Sequence, residues 1–188
     1  RDNVVWGIYI ANFIFFIGIS YAGALISGIL HLLRVPWRAP IIRIAEMITV
    51  ISTMIGPSYI LLCMGRLDRL HHLALYGRIQ SPIVWDVLAI STYLTGSIIF
   101  LYLASIRDLA ALRTYPFKSK WRTRLYKFLS VDFNGNTAQN QYLDRALNIM
   151  SAIIIPLAIL VHSVLAWIFG MTLRPGWHST IFAPYFVI

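Results

Sequence analysis

The chain has 188 residues, of which 59% are hydrophobic and only 12% charged, with a mean hydropathy of +0.71 and a formal net charge of +9. Soluble domains are about half apolar and about a quarter charged, so this composition excludes a water-soluble globular domain. In a membrane protein the basic excess belongs to loops that fix orientation and not to a nucleic-acid surface, and the single cysteine, Cys63, excludes an intramolecular disulfide and any cysteine-built zinc or iron–sulfur site within the chain.

The apolar residues fall in four blocks, each long enough for the about 20 helical residues that cross about 30 Å of hydrocarbon. They are apolar on all sides, without the alternation over about ten residues that marks a membrane barrel. The expected fold is therefore an all-α integral membrane protein, with four transmembrane helices in one bundle over residues 1–171. Those spans are expected near residues 5–33, 41–64, 82–112 and 145–171.

The first span carries Gly18, Ser20, Gly23, Ser27 and Gly28, small residues of the kind that let helices approach closely in lipid. The second opens with Arg43 and Glu46 and is interrupted by Gly56-Pro57, where proline removes a backbone donor and predicts a kink. A polar connector over 65–81 holds Arg66, Asp68, Arg69, His71, His72 and Arg78 and is expected along the surface, with a short helix in it. The third span starts at Pro82, a good first-turn residue, and runs through Trp85-Asp86. A basic loop over 113–142 interleaves Lys118, Lys120, Arg122, Arg124 and Lys127 with Tyr115, Phe117, Trp121 and Tyr126, which suits the headgroup layer of an anionic leaflet. The fourth span contains Pro156 and His162, and residues 172–188 read as an outer turn and the start of a fifth helix. Because the chain begins at Arg1 and stops inside an apolar run, it is expected to be a piece of a longer protein.

With four spans, the N-terminus, the 65–81 connector and the tail share one side. That side holds five of the sixteen basic residues, Arg1, Arg66, Arg69, Arg78 and Arg174, and the other holds eleven. Basic residues accumulate on the cytoplasmic side, so the connector is expected to face outward.

An ionisable residue in hydrocarbon costs about 2.5 to 3.5 kcal/mol on insertion scales, which makes each one inside a span a functional candidate. Asp86 lies about one turn inside the third span, beside Trp85; it either takes protons from a quinol or pairs with Arg66 or Arg69. His162, in the outer half of the fourth span, either bonds a quinone oxygen and relays protons or makes an interhelical contact. Tyr21 and Asn12 are secondary candidates, with packing as the alternative. Glu46 and His31 lie near the cytoplasmic end and are either a proton path or interfacial residues facing water. Trp6, Trp85 and Trp177 fall near the outer interface, where tryptophan is expected as an anchor. His31 and His162 lie toward opposite faces, which argues against a bis-histidine haem.

Several separated stretches, in order, resemble the NrfD/PsrC family. They are Trp6-Gly7-Ile8-Tyr9-Ile10-Ala11-Asn12-Phe13, Gly18-Ile19-Ser20-Tyr21-Ala22-Gly23, Ser81-Pro82-Ile83-Val84-Trp85-Asp86, Pro175-Gly176-Trp177-His178-Ser179-Thr180-Ile181-Phe182 and Pro184-Tyr185-Phe186. Within that family the likeness is closest to the ActC-type subunit of bacterial alternative complex III. The resemblance implies a haem-free subunit in a larger helix array of the bacterial cytoplasmic membrane. Such a subunit exchanges electrons between the quinone pool, here menaquinone, and a peripheral iron–sulfur subunit, with multihaem cytochrome and other membrane subunits as further partners. It also implies a quinone pocket near the outer face. Asp86 and His162 then carry the proton chemistry, Tyr21, Asn12, Arg66 and Trp85 bind or border the quinone, Glu46 and His31 form a candidate proton path, and no metal is held by this chain. One departure stands out: Tyr21 occupies a place where the ActC-like pattern commonly has histidine, so a proton relay there is in doubt. The alternatives are an ion-translocating subunit, for which Gly56-Pro57 and Pro156 would break helices at a transport site, and a structural anchor.

Overall fold

The structure, a computed structural model, describes residues 6–115, 120–131, 133–171, 176, 180–181, 184 and 187. Among these, every regular element is helical. The order is α1 (Trp6–Leu32), α2 (Arg38–Cys63), a 3-10 turn (Leu67–Arg69), α3 (Leu70–Leu75), α4 (Pro82–Arg113), α5 (Lys120–Leu129) and α6 (Thr137–Met171). Most of 172–188, with Arg174 and Trp177, lies outside the described residues, as do Arg1 and the Trp6 side chain.

Four helices, α1, α2, α4 and α6, are long and apolar enough to cross a bilayer, and this is a multi-pass membrane protein. Their outer faces carry large apolar side chains such as Phe15, Ile44, Met54, Leu88 and Trp167, all more than half exposed, which lipid tails or further membrane helices cover without cost. The ends of these helices follow local chemistry. α1 stops where Arg34 adopts a left-handed φ of 53°, a common way to end a helix, and Pro36 follows. Pro40 sits in the first turn of α2 and Pro82 opens α4, positions where a missing N–H costs nothing.

Two expectations about the side of the bundle that carries residues 113–142 are corrected. The basic stretch is not simply a loop, because Lys120–Leu129 forms α5. α6 begins at Thr137, well before the expected 145. Its polar first turns are held against α4 by Arg107, which donates to Asp144 at 2.8 Å and to Asn140 at 3.2 Å. Arg43 of α2 pairs with Asp108 of α4 at 2.8 Å in the same layer.

The spanning helices alternate in direction, and α1 packs against α2 and α6 while α4 packs against the same two neighbours. This is an up-down-up-down bundle in which α1 and α4 face each other across the diagonal. The core runs through Phe13, Ile17, Ala24, Ile90, Phe100, Ile154, Leu165 and Phe169. The small residues of α1 are not equivalent. A Cβ on Gly23 would meet Thr49 Oγ1 and come within 2.9 Å of the Ala45 carbonyl, and one on Gly28 would come within 2.8 Å of Ile155, but Gly18 has open space around it. On α2, Gly56 admits Ile17 of α1, whose Cδ1 would lie 3.2 Å from an added Cβ.

A cluster of hydroxyls ties the bundle across its diagonal. The Tyr93 hydroxyl of α4 donates to the Ser20 carbonyl at 2.9 Å and lies 2.9 Å from the Ser20 hydroxyl. Ser20 is bonded in turn to Thr53 at 2.5 Å, and Thr53 donates to the Thr49 carbonyl at 2.7 Å. All four side chains are buried. Interhelical hydrogen bonds in lipid average about 0.6 kcal/mol and reach about 1.7. Tyr93→Phe is therefore expected to cost about 1 kcal/mol in reversible unfolding in mixed micelles. Unchanged stability would mean that Ser20, Thr49 and Thr53 hold the seam without it.

Candidate functional site

The buried face of α4 runs Asp86, Ala89, Ile90, Tyr93, Ser97 and Phe100, the 3.6-residue period of a helix lying against neighbours. Asp86 is thus turned into the bundle, while Trp85, one position earlier and 53% exposed, faces outward. Asp86 is 8% exposed, and its Oδ1 has no hydrogen-bond partner among the described residues. A carboxyl group in that setting is costly, which makes Asp86 a candidate for chemistry.

One layer deeper, the His162 ring of α6 stacks on Tyr21 of α1, with centroids 4.4 Å apart and planes 16° from parallel. Tyr21 adjoins Ser20, and Ser20 bonds Tyr93, so the stack lies at the level of Tyr93. Asp86 precedes Tyr93 by two turns, about 10 Å at 1.5 Å per residue. The bundle therefore brings Tyr21 and His162 into contact and sets Asp86 in the adjoining layer, toward the connector.

The other expected site residues fare differently. Asn12 lies outward of Tyr21, and its side-chain amide is turned to the Ile8 carbonyl of its own helix at 2.9 Å. Trp85 donates its indole N–H to the Ile79 carbonyl at 2.7 Å, pinning the connector to the start of α4. Arg66 is exposed at the turn after α2. The expected ion pair of Asp86 with Arg66 or Arg69 is not formed among the described residues. Asp86 points inward between helices, whereas both arginines lie on the exposed connector.

At the opposite end, the reading of Glu46 and His31 as water-facing is overturned. Glu46 is fully buried and His31 is 4% exposed. Glu46 is hydrogen-bonded through Oε1 to the Ser27 hydroxyl, and its Oε2 has no partner among the described residues. Small Ser27 and Ala45 let α1 and α2 close over it, which a sequence read one helix at a time does not reveal. His31 meets the edge of Phe100 at 6.1 Å and lines a cavity of about 250 Å³ with Arg38, Arg43, Arg107 and Asp144. His31 lies ten residues along α1 from Tyr21, about 15 Å, so it and His162 are too far apart to ligate one haem iron. No group of three or more His, Cys, Asp or Glu among the described residues is placed to hold a metal.

Comparison with known proteins adds the family. The sequence profile of polysulphide reductase, NrfD, matches residues 1–188. The chain belongs to the NrfD family. It is also 28% identical over 189 residues to a Halobacterium salinarum protein named as a membrane subunit of a dimethyl sulfoxide reductase. That match covers 100% of this chain and 40% of the relative's length.

In this NrfD-family chain Tyr93, Thr49 and Thr53 are bonded to Ser20, next to the Tyr21–His162 stack, and none of them stands out as a candidate in the sequence. A signal for them exists: Thr49 and Thr53 stand one turn apart on α2, as Tyr93 and Ser97 do on α4, and polar stripes at that spacing on apolar helices face other helices.

Proposed function

We propose that this NrfD-family chain is the quinone-handling membrane subunit of an oxidoreductase complex. It oxidises quinol, or reduces quinone, near the outer ends of α4 and α6 and exchanges electrons with a peripheral iron–sulfur subunit. The observation that carries this reading is Asp86, a buried carboxyl with an unpartnered oxygen one layer from the stacked Tyr21–His162 pair. A quinone headgroup needs a donor or acceptor at each of its two oxygens, and the types of these side chains, a carboxyl at one end and an imidazole with a phenol at the other, support that role. The name of the Halobacterium relative supports a place beside reductase subunits.

When bound, quinol supplies two electrons and two protons. The work of the chain is positioning and proton handling, since redox chemistry belongs to the cofactors. Asp86 Oδ1 accepts a proton, and general acid–base help of this kind contributes about 10²- to 10⁴-fold. At the other oxygen the His162 imidazole accepts the second proton and the Tyr21 hydroxyl donates a hydrogen bond, while the Tyr21 ring, stacked on it, fixes the imidazole plane. Asn12, Trp85 and Arg66 border the entrance without carrying protons. Glu46 and His31 form a second, inner proton route opening at the 250 Å³ cavity. Menaquinone as the quinone, a multihaem cytochrome and further membrane subunits as partners, and an ActC-like place within the family belong to the same reading. So does an orientation in the bacterial cytoplasmic membrane with the N-terminus and the 65–81 connector outside.

The test is quinol oxidation by the purified complex carrying His162→Ala or Asp86→Asn, with absorbance used to verify that the iron–sulfur partner is retained. His162→Ala is expected to raise KM and cut kcat about a hundredfold, the lower end of the range for a lost catalytic hydrogen bond. Wild-type rates in both variants, with the complex intact, would leave this subunit as an anchor.

A further inference from the structure

Among the described residues, α5 is a short helix that folds back against a spanning helix, α4. From Trp85, the anchor at the start of α4, to Ile106 is about 31 Å at 1.5 Å per residue, one hydrocarbon thickness. The next residues of α4, Arg107, Asp108 and Arg113, are bonded to Asp144, Arg43 and Asn134, so the polar layer begins there. Tyr102 lies just inside that border, and its hydroxyl donates to the Leu129 carbonyl at 2.8 Å. This bond brings the end of α5 to the level where acyl chains meet headgroups.

Along α5, Trp121, Leu125 and Phe128 share one exposed stripe, and Trp121 and Phe128 are 70% and 79% exposed. Arg124 and Lys127 form the adjacent stripe, also exposed, and no acidic residue occurs in Lys120–Leu129. Between this helix and α4 lies a cleft of about 590 Å³ lined by Tyr102, Arg124, Lys127, Phe128, Leu129 and Val131. Two cations with neither partner in an ion pair among the described residues stand over apolar walls at the depth of a phosphate.

We propose that this cleft binds the headgroup of an anionic phospholipid, its phosphate between Arg124 and Lys127 and its acyl chains along Phe128 and the lipid face of α4. The chemistry is that of basic pockets beside spanning helices. The site is independent of the quinone reading and of which compartment it faces.

Native mass spectrometry of the purified protein, titrated with phosphatidylglycerol or with phosphatidylcholine of the same acyl chains, tests it. The wild type is expected to prefer phosphatidylglycerol at least about tenfold, and Arg124→Gln with Lys127→Gln to lower that affinity about 30-fold, about 1 kcal/mol for each cation. The charge-keeping Arg124→Lys with Lys127→Arg should retain the preference. Equal binding of both lipids by the wild type, or an unchanged preference in the Gln pair, overturns the proposal. Displacement of phosphatidylglycerol by millimolar inorganic phosphate would also overturn it, in favour of a free-phosphate site.

Discussion

Asp86→Asn is expected to lower quinol-dependent turnover of the assembled complex by about two orders of magnitude, the lower end of what a positioned general base contributes, while leaving thermal stability unchanged or higher. The two signs follow from one geometry. The side chain is 8% exposed and its Oδ1 has no partner among the described residues, so no hydrogen bond to that oxygen offsets the cost of a carboxyl there. An insertion penalty of up to about 3 kcal/mol for an acid inside a span is relieved when the charge is removed. Asparagine keeps the shape but has no basic oxygen to take a proton. A structural carboxylate behaves in the opposite way, because breaking an ion pair destabilises and leaves a charge behind. Turnover by initial rate and melting temperature by scanning fluorimetry separate the cases. A lower melting temperature with preserved turnover would return Asp86 to a structural role.

Gly23→Val is expected to be the most damaging single change in the α1–α2 seam, at about 3 kcal/mol, the upper end of the cost of overpacking. A Cβ at this position would meet Thr49 Oγ1 and come within 2.9 Å of the Ala45 backbone carbonyl. A side chain can rotate away, but a helix backbone has to move as a body. Moving α2 outward also strains the bonds of Ser20 to Thr49 and Thr53 and uncovers Glu46, which the close approach keeps at 0% exposure. Gly18→Ala is the control at an open position. Nothing lies within 4 Å of a Cβ there, so this change should be neutral or gain up to about 1 kcal/mol from helix propensity. Reversible unfolding in mixed micelles measures both. Equal effects at the two glycines would mean that α1 and α2 do not pack as described.

The membrane character, the four spans and the family likeness were all legible in the chain, because about 20 apolar residues in a row admit few other structures. Asp86 and His162 were legible for a related reason: a polar group inside such a run is conspicuous whatever surrounds it. Helix ends were less so. α6 reaches back to Thr137 through polar residues whose helicity depends on Arg107 of another helix, and α5 is held by a hydroxyl of α4 far away in sequence.

From the amino-acid order alone come the identities of the polar groups that sit in the membrane at a cost and their depth along each helix, since depth follows from counting residues at a fixed rise. The direction in which each group faces, and the neighbour it meets, came only with the packed bundle. Rotation about a helix axis is set by contacts with neighbours and leaves little trace in a helix that is apolar on every side. That is why Tyr21 is found stacked on His162, Glu46 sealed beneath Ser27, and Asp86 turned away from the arginines of the connector.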